Sequence, residues 1–238
     1  MRNEVFGSLQ EAVKKLGERG KEFPRASISE EAVSKRLAAL LADQGYQVRS
    51  RVNLWNLVEG VPYQRKGLSI LKSFRHPLQP DIDLLVEDKG ANRKLWGFEF
   101  KLIRWSGTLF SVVPRGRFYS GLDQVLSIAT WGVDYACLFH IFVPPMLAYR
   151  KLERRSPKVA EQFDDDRAEF TAAYGGIVQG ILDRFSLPIG YGAIGLFSDQ
   201  VSRKVHVVPI TALWRAPERL ERTATGDRIR PLLLKALR

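Results

Sequence analysis

Two stretches of the chain, DIDLLV at residues 81–86 and LWGFEFKLI at residues 95–103, have the apolar patterning of β-strands. The segment between them, EDKGANRK, contains Gly90 and Asn92, which favour a tight turn. We therefore predict that the two stretches form a β-hairpin, around which the remaining elements are arranged.

Charged side chains are expected to gather on one face of this hairpin. Glu99 and Lys101 lie two residues apart in the second strand, so both point away from the apolar residues that alternate with them. Asp81 and Asp83 share a face of the first strand, and the opposite face is expected to carry Ile82, Leu84 and Val86. A hairpin centred on residue 91 sets Asp83 across from Glu99 and Asp81 across from Lys101. Three carboxylates and one ammonium group are thus predicted to converge.

Two interpretations of this charged face are open. Polar residues alternate with apolar ones wherever one face of an antiparallel sheet is exposed to water. Acidic residues and a lysine, rather than Thr, Ser or Gln, favour a metal site instead, because hard cations such as Mg²⁺ prefer oxygen ligands. Both strands are also followed by elements able to cover them, which favours the second interpretation.

The order of residues around the hairpin resembles that of a known family. Pro80-Asp81-Ile82-Asp83, then a strand and a turn, then Glu99-Phe100-Lys101 is similar to the signature of the PD-(D/E)xK nuclease superfamily. The resemblance covers roughly residues 27–144 and implies an α/β fold, with a restriction-endonuclease-like core whose mixed central sheet is flanked by helices. It also implies a hydrolase that cuts nucleic-acid phosphodiester bonds with Mg²⁺, for which Mn²⁺ is expected to substitute. DNA is the expected substrate.

The resemblance assigns a role to each residue of the motif. In that superfamily the aspartate and the second acidic residue bind the metal, and the lysine helps to position or activate the attacking water. By resemblance, Asp83 and Glu99 are the metal ligands and Lys101 acts on the water. Asp81, directly after the proline, is the alternative motif aspartate and a further candidate ligand. We prefer Asp83 because it lies opposite Glu99 in the predicted hairpin.

Two helices that flank the hairpin contribute further candidates. Ser27 and Glu30 have the spacing of a capping box and open a predicted helix, with Glu30 on its inward side. Since many members of the superfamily place a helical glutamate near the metal, Glu30 is a candidate ligand and catalytic residue, with helix capping as the alternative role. Gln124, in a helix predicted from about residue 119 to 130, resembles a glutamine often found after the lysine strand. A plain surface position is its alternative.

Basic and aromatic residues are interleaved between the hairpin and the second of these helices. Guanidinium groups can bind phosphate, and aromatic rings can stack on bases. The predicted nucleic-acid contacts are Arg104, Trp105, Arg115, Arg117 and Tyr119. A solvated loop is the alternative interpretation of the same segment.

The composition of the chain favours a polyanionic partner. Lys and Arg number 37 against 26 Asp and Glu, which gives a formal charge of +11. Cys137 is the only cysteine, so one chain cannot build a disulfide framework or a multi-cysteine zinc site, and a reducing cytoplasm fits. The amino-terminal helix lacks the apolar core of a signal peptide, and no apolar run approaches the length of a membrane span. We expect a soluble, cytoplasmic protein without a membrane partner.

Three segments are predicted along the chain. Residues 1–26 form an amino-terminal helix and linker, and residues 27–144 form the nuclease-like core with the order α-β-β-β-α-β. Residues 145–238 form a carboxy-terminal α+β extension packed on the core. Its predicted elements are a helix near 159–184, strands at 191–197 and 204–208, and a basic terminal helix. A homodimeric assembly is left open.

Two rival functions are compatible with the same sequence. One is a non-catalytic nucleic-acid-binding or assembly protein that retains the nuclease fold. The other is an unrelated α/β enzyme whose acidic residues bind a metal for a different substrate, although the absence of a GxxxxGK[ST] motif argues against its P-loop versions. The three histidines lack metal-ligand spacing and are assigned no catalytic role: His76, His140 and His206.

Overall fold

The computed structural model describes residues 4–16, 29–53, 81–90, 93–104, 120–143, 157–199 and 206–238. Five helices and six strands follow one another in these residues. In chain order they are α1 (Glu4–Lys14), α2 (Glu30–Asp43), β1 (Gln47–Asn53), β2 (Asp81–Glu87), β3 (Leu95–Arg104), α3 (Leu122–Ala129), β4 (Tyr135–Val143), α4 (Pro157–Arg184), β5 (Gly190–Asp199), β6 (His206–Arg215) and α5 (Ala224–Ala236). The run from α2 to β4 has the predicted order α-β-β-β-α-β.

The six strands form one mixed sheet, in which their spatial order is their chain order. The strands β1, β2 and β3 pair antiparallel, β4 and β5 then continue in parallel with β3, and β6 returns antiparallel to β5. Each parallel pair requires a crossover connection, and α3 and α4 lie on those two connections. The predicted α/β class with a mixed central sheet is therefore confirmed.

Helices cover both faces of the sheet. On one face α1 and α2 share an apolar cluster with the β3 residues Trp96, Phe98 and Phe100. On the other face α3, α4 and α5 share a second cluster, to which the sheet contributes residues such as Leu85 and Ile103. The interpretation of the hairpin as a half-exposed, solvated sheet is wrong for β3, because Glu99 is buried and Lys101 is largely covered by the start of α3. Among the helices that the structure describes, none combines the length and the apolar character needed to cross a membrane.

The hairpin has the predicted register. Leu84 lies opposite Phe98 and Glu87 lies opposite Leu95. The observed pairs end at Leu84 and Phe98, so the predicted pairs Asp83–Glu99 and Asp81–Lys101 are not among them. Alternation along a strand and a turn between the strands are local features of the sequence, which is why this pairing could be derived without knowledge of the packing.

Three details of the predicted fold are wrong. Ile82 packs in the cluster beneath α3 and α4, whereas Leu84 and Val86 pack beneath α1 and α2, because regular alternation is interrupted at Asp83. The helix α2 is capped by Ser29, whose hydroxyl accepts a hydrogen bond from the Ala32 backbone N–H, so Glu30 is not the third residue of a capping box. Ser27 lies outside the described residues.

The third difference from the predicted fold concerns the last strand. β6 continues to Arg215 rather than ending at residue 208. Proline lacks a backbone N–H, so Pro209 is unfavourable in a strand that has neighbours on both sides. However, β6 is at the edge of the sheet, where one side of the strand has no neighbour among the described strands. Pro209 pairs with Leu196 beside a register shift, a position that tolerates proline.

Candidate metal centre

Asp83 is held by two hydrogen bonds that are not part of the β-ladder. Its carboxylate oxygen Oδ2 accepts the backbone N–H of Phe100 at 2.8 Å, which brings the acidic group against the middle of β3. Its backbone carbonyl accepts the hydroxyl of Ser34, a fully buried residue of α2, at 2.5 Å. The position of the Asp83 carboxylate is therefore determined jointly by β3 and by α2.

Glu99 and Lys101 form a buried ion pair on the neighbouring strand. The Glu99 side chain is 2% exposed and that of Lys101 is 17% exposed, and their Oε1 and Nζ atoms are 2.5 Å apart. The two residues point to the same side of β3 because they are separated by one residue. This pair lies under the layer that contains α3, and only the lysine reaches solvent to an appreciable extent.

Glu30 joins this group from the start of α2. Its Oε1 atom accepts the backbone N–H of Leu102 at 2.8 Å, which links the helix terminus to β3 directly beyond Lys101. After the larger effect of burial, its negative charge contributes to the raised pKa of Asp83, and after Glu99 it contributes to the raised pKa of Lys101. The inward orientation predicted for Glu30 is thus observed.

Burial and crowding shift the acidic groups towards their protonated forms. Burial, followed by the neighbouring charge of Asp83, raises the pKa of Glu99 to about 8 despite the ion pair with Lys101. Burial raises the pKa of Asp83 to about 6, and the hydrogen bond from Phe100 opposes the shift only in part. Burial also raises the pKa of Asp81, on which Lys101 and Arg51 act in the opposite direction. Desolvated carboxylates in such proximity favour any cation that can enter between them.

Lys101 remains protonated in this environment. Burial by itself lowers the pKa of an ammonium group, but the carboxylates of Glu99, Glu30 and Asp83 together raise the pKa of Lys101 above its ordinary value. Lys101 is therefore a fixed positive charge at neutral pH and is not suited to accept a proton.

The donor set fits a hard divalent cation that keeps several water ligands. Asp83 and Glu99 carry carboxylates, the ligands that Mg²⁺ prefers, and they are the pair that would hold it. Within the described part of the chain, no set of three or more His, Cys, Asp or Glu side chains is already assembled as a ligand cage. Mg²⁺ is usually bound by one or two carboxylates, with water and substrate phosphate in the remaining positions.

The other predicted site residues are only partly described. Gln124 is half-buried in the first turn of α3, just after Gly121, which lies against Lys101. Arg104 is the last residue of β3, and its backbone alone is described. The remaining predicted nucleic-acid contacts lie outside the described residues: Trp105, Arg115, Arg117 and Tyr119.

Two buried residues near the site were not identified from the sequence. Ser34 lies on the inward stripe of α2 with Leu37 and Leu41, a spacing that could have suggested its burial. The spacing of the histidines indicates no role for His140. In the parallel pairing of β3 and β4 it lies directly beside Lys101.

Comparisons with known proteins do not identify this chain. Its sequence matches no protein-family model and no curated protein, and its structure matches no solved structure.

Proposed function

We propose that this protein is a Mg²⁺-dependent nuclease with a restriction-endonuclease-like core. The observation that carries the proposal is the buried ion pair of Glu99 and Lys101 beside the Asp83 carboxylate, on two strands that pair as an antiparallel hairpin. Such a group of desolvated charges opposes folding, and strongly perturbed ionisable groups of this kind cluster at functional sites. The order of elements from α2 to β4 also agrees with the proposed core.

Asp83 and Glu99 hold the metal in this proposal, and Asp81 and Glu30 contribute negative charge around it. A bound Mg²⁺ supplies a water of lowered pKa and neutralises charge on the phosphate. Lys101 carries a permanent positive charge beside Glu99, so it orients the attacking water or stabilises the charge that develops on the phosphate. A general-base role for Lys101 is not part of the proposal, because its pKa is raised.

The proposed substrate is a nucleic acid, with DNA preferred. The formal charge of +11 supports a polyanion, and phosphodiester hydrolysis is the reaction for which two carboxylates, a metal and a lysine are suited. The cytoplasm is the proposed location, and a homodimer is left open. The alternative is a nucleic-acid-binding or assembly protein in which the same residues have no catalytic role.

The test is cleavage of single-stranded and duplex DNA and RNA in Mg²⁺, Mn²⁺ and Ca²⁺. We expect cleavage in Mg²⁺ or Mn²⁺, and loss of cleavage in Asp83→Asn and Glu99→Gln with nucleic-acid binding in Ca²⁺ retained. Asp123→Asn is the matched control, because this acidic residue is exposed in the first turn of α3. Binding without cleavage of any of these substrates would favour the non-catalytic alternative. Equal turnover in all three variants would contradict the assignment of the site.

A further inference from the structure

His140 is a buried polar residue that the proposed reaction does not use. It is fully buried in β4, and its Cα is the partner of the Lys101 Cα in the parallel pairing. Its Nδ1 atom lies 2.9 Å from the hydroxyl oxygen of Tyr191, and its Nε2 atom lies 2.9 Å from the backbone oxygen of Ser120. Both ring nitrogens therefore have partners, as a buried imidazole requires.

The partners determine which nitrogen carries the proton. A backbone carbonyl can only accept, so Nε2 must donate its hydrogen to Ser120. The neutral ring then has a lone pair on Nδ1, which accepts the hydroxyl hydrogen of Tyr191. The ring is neutral because burial lowers the pKa of His140 to about 4, and the charge of Lys101 acts in the same direction. Tyr191 thus donates to His140, and His140 donates to Ser120.

The backbone that His140 holds is in contact with Lys101. Ser120 is followed by Gly121, which is the N-cap residue of α3 and has a positive φ of 84°. A Cβ atom at Gly121 would lie 2.8 Å from Cγ and 3.2 Å from Cε of Lys101. The carbonyl of Gly121 also accepts the first helical hydrogen bond of α3, from the Val125 N–H at 2.9 Å. This turn therefore forms a wall along the aliphatic part of the Lys101 side chain.

We propose that His140 is a positioning residue for Lys101, acting through the backbone of Ser120 and Gly121. The hydrogen bond from Nε2 holds the turn against the aliphatic part of the Lys101 side chain. The turn thereby keeps the Lys101 ammonium group in its ion pair with Glu99. As a role in the reaction, this inference rests on the proposed nuclease function. The arrangement of His140, the turn and Lys101 can nevertheless be tested whether or not the protein cleaves nucleic acid.

Two amide substitutions at His140 test the roles of the two ring nitrogens one at a time. The amide nitrogen of His140→Gln can take the place of Nε2, so this variant can still donate to Ser120. His140→Asn reaches only as far as Nδ1, so it retains a polar partner for Tyr191 but leaves the Ser120 carbonyl without its donor. Both variants bury an amide and remove the ring, which makes them a matched pair for effects of packing and polarity.

The first measurement does not depend on activity. The ¹H–¹⁵N signal of the Lys101 ammonium group, assigned by its disappearance in Lys101→Met, reports whether the lysine is held in its ion pair. We expect the signal in the wild type and in His140→Gln, and its loss by exchange broadening in His140→Asn. Retention of the signal in His140→Asn, or its loss in both amide variants, would overturn the positioning role.

The second measurement is single-turnover cleavage at saturating Mg²⁺ with substrate binding determined in Ca²⁺. We expect His140→Asn to lose about 10²-fold in rate with unchanged binding, because small displacements of a reacting group have effects of that order, whereas His140→Gln restores most of the rate. If the wild type cleaves nothing, the proposed function fails and the ammonium signal alone decides the inference. If His140→Asn does not fold, Gly121→Ala tests the contact of the turn with Lys101 on which the inference depends, because the added methyl would lie 2.8 Å from both Lys101 Cγ and Leu138 Cδ1. An unchanged ammonium signal in Gly121→Ala would then overturn the inference.

Discussion

Arg51 faces Asp83 across β1 and β2, and the ladder is interrupted at both residues. The flanking pairs Ser50–Leu84 and Val52–Ile82 are regular, while Arg51 has a positive φ of 54°. The carbonyl of Asp83 accepts the Ser34 hydroxyl instead of a ladder partner. The side chains also change sides of the sheet at this point. Val48 and Leu84 pack in the apolar cluster of α1 and α2, whereas Val52 and Ile82 pack in the cluster of α3, α4 and α5. The local distortion accompanies the orientation of the Asp83 carboxylate towards β3.

A strained backbone at Arg51 predicts an unusual order of stability. The left-handed conformation costs a residue with a Cβ about 1 kcal/mol relative to glycine. We expect Arg51→Gly to be more stable than Arg51→Ala by about that amount in urea unfolding. Lys35→Ala is the control for the lost ion pair, since Lys35 and Arg51 both contact Glu31 at 2.8 Å. Equal stability of the Gly and Ala variants would show that the conformation is not strained.

The raised pKa of Glu99 predicts how stability depends on pH without metal. Between its ordinary value of 4.5 and about 8, Glu99 is more protonated in the folded state than in the unfolded state. Stability contributed by this group is therefore lost as the pH rises through that window. His140 has the opposite dependence below pH 6.5, and Asp83 has the same dependence as Glu99 up to about pH 6, so the range from pH 7 to 8 reports mainly on Glu99. We expect unfolding in urea with EDTA to become easier over this range, and the slope to disappear in Glu99→Gln. A slope that persists in Glu99→Gln would contradict the assignment.

Substitution of Lys101 distinguishes two roles for this residue: a positive charge that acts in catalysis, and a charge that only balances the neighbouring carboxylates. We expect Lys101→Met to lose turnover by roughly 10²-fold or more, the effect typical of a positioned electrostatic group, while binding substrate normally. Raising Mg²⁺ should not restore the rate. The measurement is single-turnover cleavage across a Mg²⁺ titration, with Lys35→Met as a control for the loss of one exposed lysine. Convergence of the Lys101→Met and wild-type rates at high Mg²⁺ would show that the lysine affects only metal affinity.

The net charge of the chain predicts that binding depends strongly on salt. Each contact between a cationic side chain and a duplex phosphate releases condensed counterions and contributes about −0.9 to the slope of log K against log salt concentration. With a formal charge of +11, we expect a steep linear decrease in the affinity of Asp83→Asn for duplex DNA in Ca²⁺. Titrations by fluorescence anisotropy at several salt concentrations give the slope. A flat plot would exclude phosphate contacts as the main source of affinity.

Much of the sheet could be predicted because its signals are local. The hairpin register follows from strand alternation and a turn, and the positions of β4 and β5 follow from apolar runs bounded by Gly and Pro. The errors arose where tertiary context overrides a local rule. Ile82 packs on the unexpected side because of the interruption at Asp83, and Pro209 is accepted in β6 because that strand is at the edge. The capping residue of α2 was displaced by two positions, since Ser27 and Ser29 have equivalent local chemistry.

Some features of the candidate site likewise follow from the local sequence, and others depend on the tertiary structure. The sequence by itself determined that Asp83, Glu99 and Lys101 come together, because one hairpin and the parity of its strands suffice to join them. Only the tertiary structure decided that this group is buried, and that residues far away in the chain complete it. Glu30 and Leu102, Ser34 and Asp83, and His140 and Lys101 meet through the docking of α2 on the sheet and through the pairing of β3 with β4. Such contacts depend on how whole elements pack, and the short-range periodicity of a sequence carries no information about that arrangement.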